Sequence, residues 1–98
     1  MRALFQLPRE KQKQVEQLVM KNDILSRQSI VFRESVSLGL KGSDYYLEIN
    51  GSEEAIQLAK ETLKDFAKEV TGQEKDRILE IVRKQEEAAD AGFGAIFG

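Results

Sequence analysis

The chain has 98 residues, with 15 Lys plus Arg, 17 Asp plus Glu, a formal net charge of −2, and no Cys, His or Trp. That length suits one domain around one modest core, because halves of it would fold alone only marginally. Zero Cys excludes disulfides, thiolate metal sites and Cys nucleophiles, and zero His removes the commonest general base and the commonest metal ligand.

Arg2 to Leu7 reads as a strand. Ala3, Phe5 and Leu7 share one face and Leu4 makes the other apolar, a pattern that suits an interior strand. Pro8 opens a helix running to about Asn22 or Leu25, with Val15, Leu18, Val19 and Leu25 near one stripe. From Ser29 to Leu40 the period changes to two, placing Ile30, Phe32, Val36, Leu38 and Leu40 on one face. Glu34 interrupts that face, and a bulge or a gap between two short strands would turn it to water. Lys41-Gly42-Ser43-Asp44 is a turn, and Tyr45, Leu47 and Ile49 mark the partner strand of a hairpin.

Ser52 is an N-cap candidate, with Glu53 and Glu54 in the first turn where the helix dipole favours them. The helix it starts has Ile56, Ala59, Leu63, Phe66, Ala67 and Val70 on its stripe, and Leu58 off it, expected to be exposed. Thr71-Gly72 breaks the pattern, and Thr71 with Glu74 has capping-box spacing for a third helix. Ile78, Ile81, Val82 and Ala89 make that helix's stripe, and Glu80 with Lys84 is a supportive i,i+4 pair. Residues 91–98 are uncharged and rich in Gly and Phe. The expected organisation is a single domain over 1–90 and a flexible C-terminal tail over 91–98.

This order, β-α-β-β-α-α, predicts an α+β fold. It has two layers, an antiparallel sheet of three to four strands with helices packed on one face. Phe5, Leu7, Val15, Leu18, Phe32, Val36, Leu38, Leu47, Ile49, Ile56, Ala59, Leu63 and Phe66 are its expected core. An uncovered sheet face or an edge strand is then the natural place for self-association.

Catalysis without His or Cys would need carboxylates, Lys, Tyr or Arg. Glu53 and Glu54 diverge on their helix, and Glu86, Glu87 and Asp90 lack the spacing of a metal loop. No enzyme, cofactor or metal site is expected, and a carboxylate-based enzyme or a loose calcium site at Glu86, Glu87 and Asp90 is the last alternative. Charge is uneven along the chain. Residues 1–47 carry 8 basic and 5 acidic side chains, and residues 48–98 carry 7 and 12. On the basic front, Arg9, Lys13, Lys21 and Arg33 are candidate backbone contacts for RNA or single-stranded nucleic acid, with Tyr46 as an exposed stacking platform. The acidic residues Glu10, Glu16 and Asp23 interleave with them, as on an ordinary solvated face. Phe93, Ile96 and Phe97 on the tail, with exposed Leu58 and Tyr46, are candidate contacts to a protein or to a second copy.

The stretch Val36 to Lys68 resembles the strand-strand-helix half of a KH-like domain. Val36-Ser37-Leu38-Gly39-Leu40 and Asp44-Tyr45-Tyr46-Leu47-Glu48-Ile49-Asn50-Gly51 stand for the two strands. Ser52-Glu53-Glu54-Ala55-Ile56-Gln57-Leu58-Ala59-Lys60 opens the helix. The resemblance implies an α+β fold and, as a second possibility, RNA binding. It covers about a third of the chain. The family's Gly-x-x-Gly loop lies between two helices ahead of this hairpin, and here no glycine precedes Gly39, so no phosphate-binding residue carries over to Gly39 or Gly42. The expected role is a small intracellular, cytoplasmic, non-enzymatic binding module for a protein or for its own copy. Nucleic-acid binding is the alternative, and no membrane contact is expected, since no run reaches the ~20 apolar residues of a span.

Overall fold

The computed structural model describes the backbone of residues 1–97 and the side chains of residues 1–88. Apolar residues on both faces make Arg2–Leu7 the interior strand β1, and Pro8 ends it. A 3-10 turn over Arg9–Lys11 leads into helix α1, Gln12–Lys21. The Asn22 side chain then stops the helix by accepting from Ile24 N and Leu25 N, both at 3.0 Å. Strands β2 (Ser29–Glu34) and β3 (Tyr45–Asn50) follow, then α2 (Glu53–Leu63), β4 (Lys68–Val70) and α3 (Gly72–Phe97). Ser52 caps α2 as its position predicts, its Oγ accepting from Ala55 N at 3.1 Å.

The four strands lie in the order β2-β3-β1-β4, and every neighbouring pair is antiparallel. The unit β1-α1-β2-β3-α2-β4 with that sheet order has the split β-α-β, ferredoxin-like connectivity. Helix α3 is added to it. The α+β class and the antiparallel sheet are as the sequence predicts.

One face of the sheet carries Ala3, Phe5 and Leu7 of β1 and Leu47 and Ile49 of β3. Val15 and Val19 of α1, Leu25, and Ile56, Ala59 and Leu63 of α2 close over it. Full burial of each large side chain stabilises by roughly 1.5–3 kcal/mol. The other face carries Leu4, Tyr46 and Val70, covered by Ile78 and Val82 of α3 with Leu38 beside them. Helices therefore pack on both faces, where the sequence pattern places them on one. Ile78, Val82 and the partly buried Ile81 form the α3 stripe as expected, and the side chain of Ala89 lies outside the described residues; periodicity along one helix does not say which sheet face it covers.

Several boundaries move for local reasons. Helix α2 stops at Leu63, and Phe66 N and Ala67 N bond back to the Leu63 carbonyl. The chain then straightens into β4, whose Val70 pairs with Leu4. The sequence reading misses this strand because Phe66, Ala67 and Val70 continue a helical spacing by coincidence. Strand β2 ends at Glu34, which turns to water as the gap predicts. Residues Val36–Leu38 form a 3-10 turn, ended by Gly39 at φ +73°, instead of a strand. That turn sends Leu38 into the α3 side and leaves Val36, an expected core residue, 71% exposed. Leu18, Phe32 and Phe66 are half-buried. The break at Gly72 is real: its φ of +65° lets the chain turn from β4 into α3. On α3, Glu80 bonds Arg83 where pairing with Lys84 is expected.

Candidate functional site

The two sheet edges differ. Strand β4 has three residues, Lys68, Glu69 and Val70. Lys60, Lys64 and Lys68 line a cavity of about 300 Å³ beside it with Phe5, Ala67 and Glu69. Lys60 also bonds Glu69 at 3.5 Å. A short edge dressed with lysines resists further strand pairing. Strand β2 has six residues, none of them fully buried, and its sequence is Ser-Ile-Val-Phe-Arg-Glu.

The ladder fixes which β2 groups face outward. Beyond the end of β2, Ser35 N donates to Asp44 O at 3.0 Å, in the same register as Arg33 opposite Tyr46 and Val31 opposite Glu48. Hydrogen-bonded pairs alternate in an antiparallel ladder. Ser29, Val31 and Arg33 therefore bond β3, and the N–H and C=O of Ile30 and Phe32 and the N–H of Glu34 point out of the sheet. The Ser37 hydroxyl takes the Glu34 carbonyl at 2.7 Å. Side chains alternate too: Ile30 and Phe32 pack against the α1 and α2 core, and Val31 is exposed on the α3 side. Among the described residues, the exposed large hydrophobics include Val31 on β2, Val36 just after it and Ile24 in the segment before it.

Next to Val31 the α3 face carries a charge network. Glu48 is buried in mid-sheet and is held by Arg2 Nε at 3.0 Å and Arg33 Nη2 at 3.4 Å. Arg33 Nη2 also reaches Glu86 of α3 at 3.4 Å, and its buried Nε has no acceptor among the described residues. Lys75 and Gln85 of α3 donate to the carbonyls of Arg2 and Ser37 at 2.7 and 2.6 Å. Together these bonds pin α3 across the sheet.

The residues singled out from sequence do not come together as a nucleic-acid surface. Tyr46 is 6% exposed beneath α3, so it offers no stacking face. Burial pushes its hydroxyl pKa up, and the nearby Glu74 adds to the shift. Arg33 is committed to Glu48 and Glu86 on that same side. Lys13 and Lys21 sit on α1, across the sheet from both. Lys13 lines a shallow groove with Glu16, Gln17 and Met20, and Arg9 lines another beside Glu34, Ser35 and Asp44. The tyrosine at the end of the hairpin, Tyr45, donates to Glu34 at 3.1 Å, and that bond raises its pKa.

Of the expected protein contacts, Leu58 is half-buried against the core. The side chains of Ala89, Asp90, Phe93, Ile96 and Phe97 lie outside the described residues. Among the described residues no three acidic side chains gather as a metal site, and no helix is long and apolar enough to cross a membrane. That β2 is the open edge is what sequence reasoning missed, since the sheet order is set by contacts among segments far apart in the chain. Set against known proteins, the chain matches no family model, no curated protein and no solved structure.

Proposed function

We propose that this protein is a non-enzymatic association module that captures an extended protein segment along the outer edge of β2. One observation carries this reading: a six-residue terminal strand leaves the outward groups of Ile30, Phe32 and Glu34 without a ladder partner, beside exposed Val31. Added strands gain main-chain hydrogen bonds from such an edge, and their alternate side chains supply specificity. The contrast with β4 supports the choice of edge, because β4 is short and has Lys68 in it with Lys60 and Lys64 beside it, features that discourage pairing.

The test is selection of displayed random peptides on the immobilised protein, followed by amide NMR of the protein with each selected peptide. Binding at this edge shifts the amides of Ile30, Phe32 and Glu34 more than those of Ser29, Val31 and Arg33, and slows their hydrogen exchange. If those three amides stay unmoved and unprotected with every binder and at every protein concentration, the proposal is wrong.

A further inference from the structure

We infer that the segment received by β2 is the β2 strand of a second copy, paired antiparallel about a two-fold axis at Val31, an inference that rests on the edge reading above. The two four-stranded sheets then become one continuous sheet of eight.

Geometry leaves few registers. A two-fold axis normal to the sheet keeps the α1 and α2 side of both copies on the same side. Directly opposed residues must therefore come from the same set of alternating positions. The outward hydrogen-bonding residues are Ile30, Phe32 and Glu34, so the new hydrogen-bonded pairs must be drawn from the even-numbered positions.

Centring on Val31 places Ile30 opposite Phe32 twice, on the side where both already pack against the core. Val31 meets its own copy on the α3 side, where it is 36% exposed. Ser29 then faces Arg33, and Gln28 faces Glu34. Every apolar residue meets an apolar one and every charge meets a neutral polar group. An aromatic opposite a β-branched residue is a favourable cross-strand pair, and no like charges oppose each other.

The neighbouring registers do worse. Centring on Phe32 sets Glu34 against Ile30 and Arg33 against Val31. Centring on Ile30 sets Phe32 against Gln28 and Val31 against Ser29. The strand is self-complementary in one register only.

The surface beyond the strand ends agrees. Val36, 71% exposed, follows one end of β2, and Ile24, 41% exposed, precedes the other. Antiparallel pairing brings the Val36 end of one copy beside the Ile24 end of its partner, twice. A partner strand of arbitrary sequence would not account for apolar surface at both ends of the edge. A second copy supplies each end with its counterpart.

The natural chain has no Cys, so single cysteines report the register directly. Val31→Cys sits in a non-hydrogen-bonded pair across the axis, where Cα atoms approach to about 4.5 Å, within disulfide range. Under mild oxidation with oxidised glutathione it is expected to give a covalent dimer in high yield. Ser29→Cys, four positions out of register with its own copy, is expected to stay uncrosslinked under the same conditions. In sedimentation the wild-type full chain is expected to dimerise. Val31→Lys, which opposes two ammonium groups at the axis, is expected to weaken the dimer about tenfold or more with an unchanged circular dichroism spectrum. A wild type that stays monomeric at several hundred micromolar overturns the second copy as occupant. Equal crosslinking by Ser29→Cys overturns the register. In either case, protection of the Ile30, Phe32 and Glu34 amides by a selected peptide leaves the edge reading standing, and loss of that protection too removes both.

Discussion

The two faces of this sheet are closed by different chemistry. Against α1 and α2, five strand residues meet six others, and all eleven are apolar and buried. Against α3, Leu4, Tyr46 and Val70 share the face with Glu48, a buried carboxylate that needs Arg2 and Arg33. An apolar face holds through buried area and close packing, with no directional partner required. A face with a buried charge holds only while each partner stays in place, because an unpaired ion in the interior is costly. The α1 and α2 side is therefore the structural core. The α3 side is a docked cover fixed by a few named contacts: Ile78, Val82, Lys75 to the Arg2 carbonyl, and Arg33 to Glu86.

The largest expected effect falls on the apolar face. Leu47→Ala removes a fully buried side chain between both helices and should cost about 2–5 kcal/mol in urea unfolding, with protection lost throughout the molecule. Its counterpart, Ile78→Ala, should instead speed hydrogen exchange along α3 while α1, α2 and β1 stay protected. Equal loss of protection on both sides would collapse the distinction between core and cover.

Glu48→Gln is next in size. It keeps the shape of the side chain but removes the anion between two arginines, and a cost of about 1–3 kcal/mol is expected. The loss should concentrate in β2 and α3, which Arg33 of β2 joins through Glu86, and an unchanged exchange pattern there would mean the network is not what fixes the cover.

The smallest effect is spectroscopic. The chain has two Tyr and no Trp, so phenolate absorbance reads the two tyrosines without an indole background, and a Tyr45→Phe chain isolates Tyr46. Both are expected to titrate above the ordinary value of 10.0, Tyr45 through its bond to Glu34 and Tyr46 through burial under α3. A raised folded pKa means each contributes stability that is complete below the unfolded tyrosine value. That contribution is lost as pH rises through the folded one. Ile78→Ala should bring Tyr46 back toward 10.0 and leave Tyr45 where it is, since only Tyr46 depends on the cover.

Local elements were legible where one signal dominates. Arg2–Leu7 carries its alternation on both faces, and β1 is an interior strand with those bounds. Ser52 caps α2, Gly72 breaks the chain, and Glu34 faces water. The reading failed where a pattern is short or ambiguous. Three residues cannot display a period of two, so β4 was absorbed into a helical stripe. Val36 and Leu38 alternate like a strand, yet the 3-10 turn separates them, one to solvent and one to the interior. Tyr46 was read as exposed because it alternates against an apolar row. Its burial depends on α3, which follows in the chain only after α2 and β4.

What the sequence determined by itself is chemical and local. It contains no thiol or imidazole, and it encodes the alternation of β1, the cap and stripe of α2, and an antiparallel α+β class. Each of these depends on residues a few positions apart. The tertiary structure alone decided which strand stands at an edge, which face α3 covers, and how Glu48 finds its arginines. Those are relations among segments far apart in the chain, and they are settled by which surfaces are left unburied once the other elements have packed. The open edge of β2 belongs to that second kind. Its residues make an ordinary strand, and only the order β2-β3-β1-β4 leaves them facing outward, ready to pair.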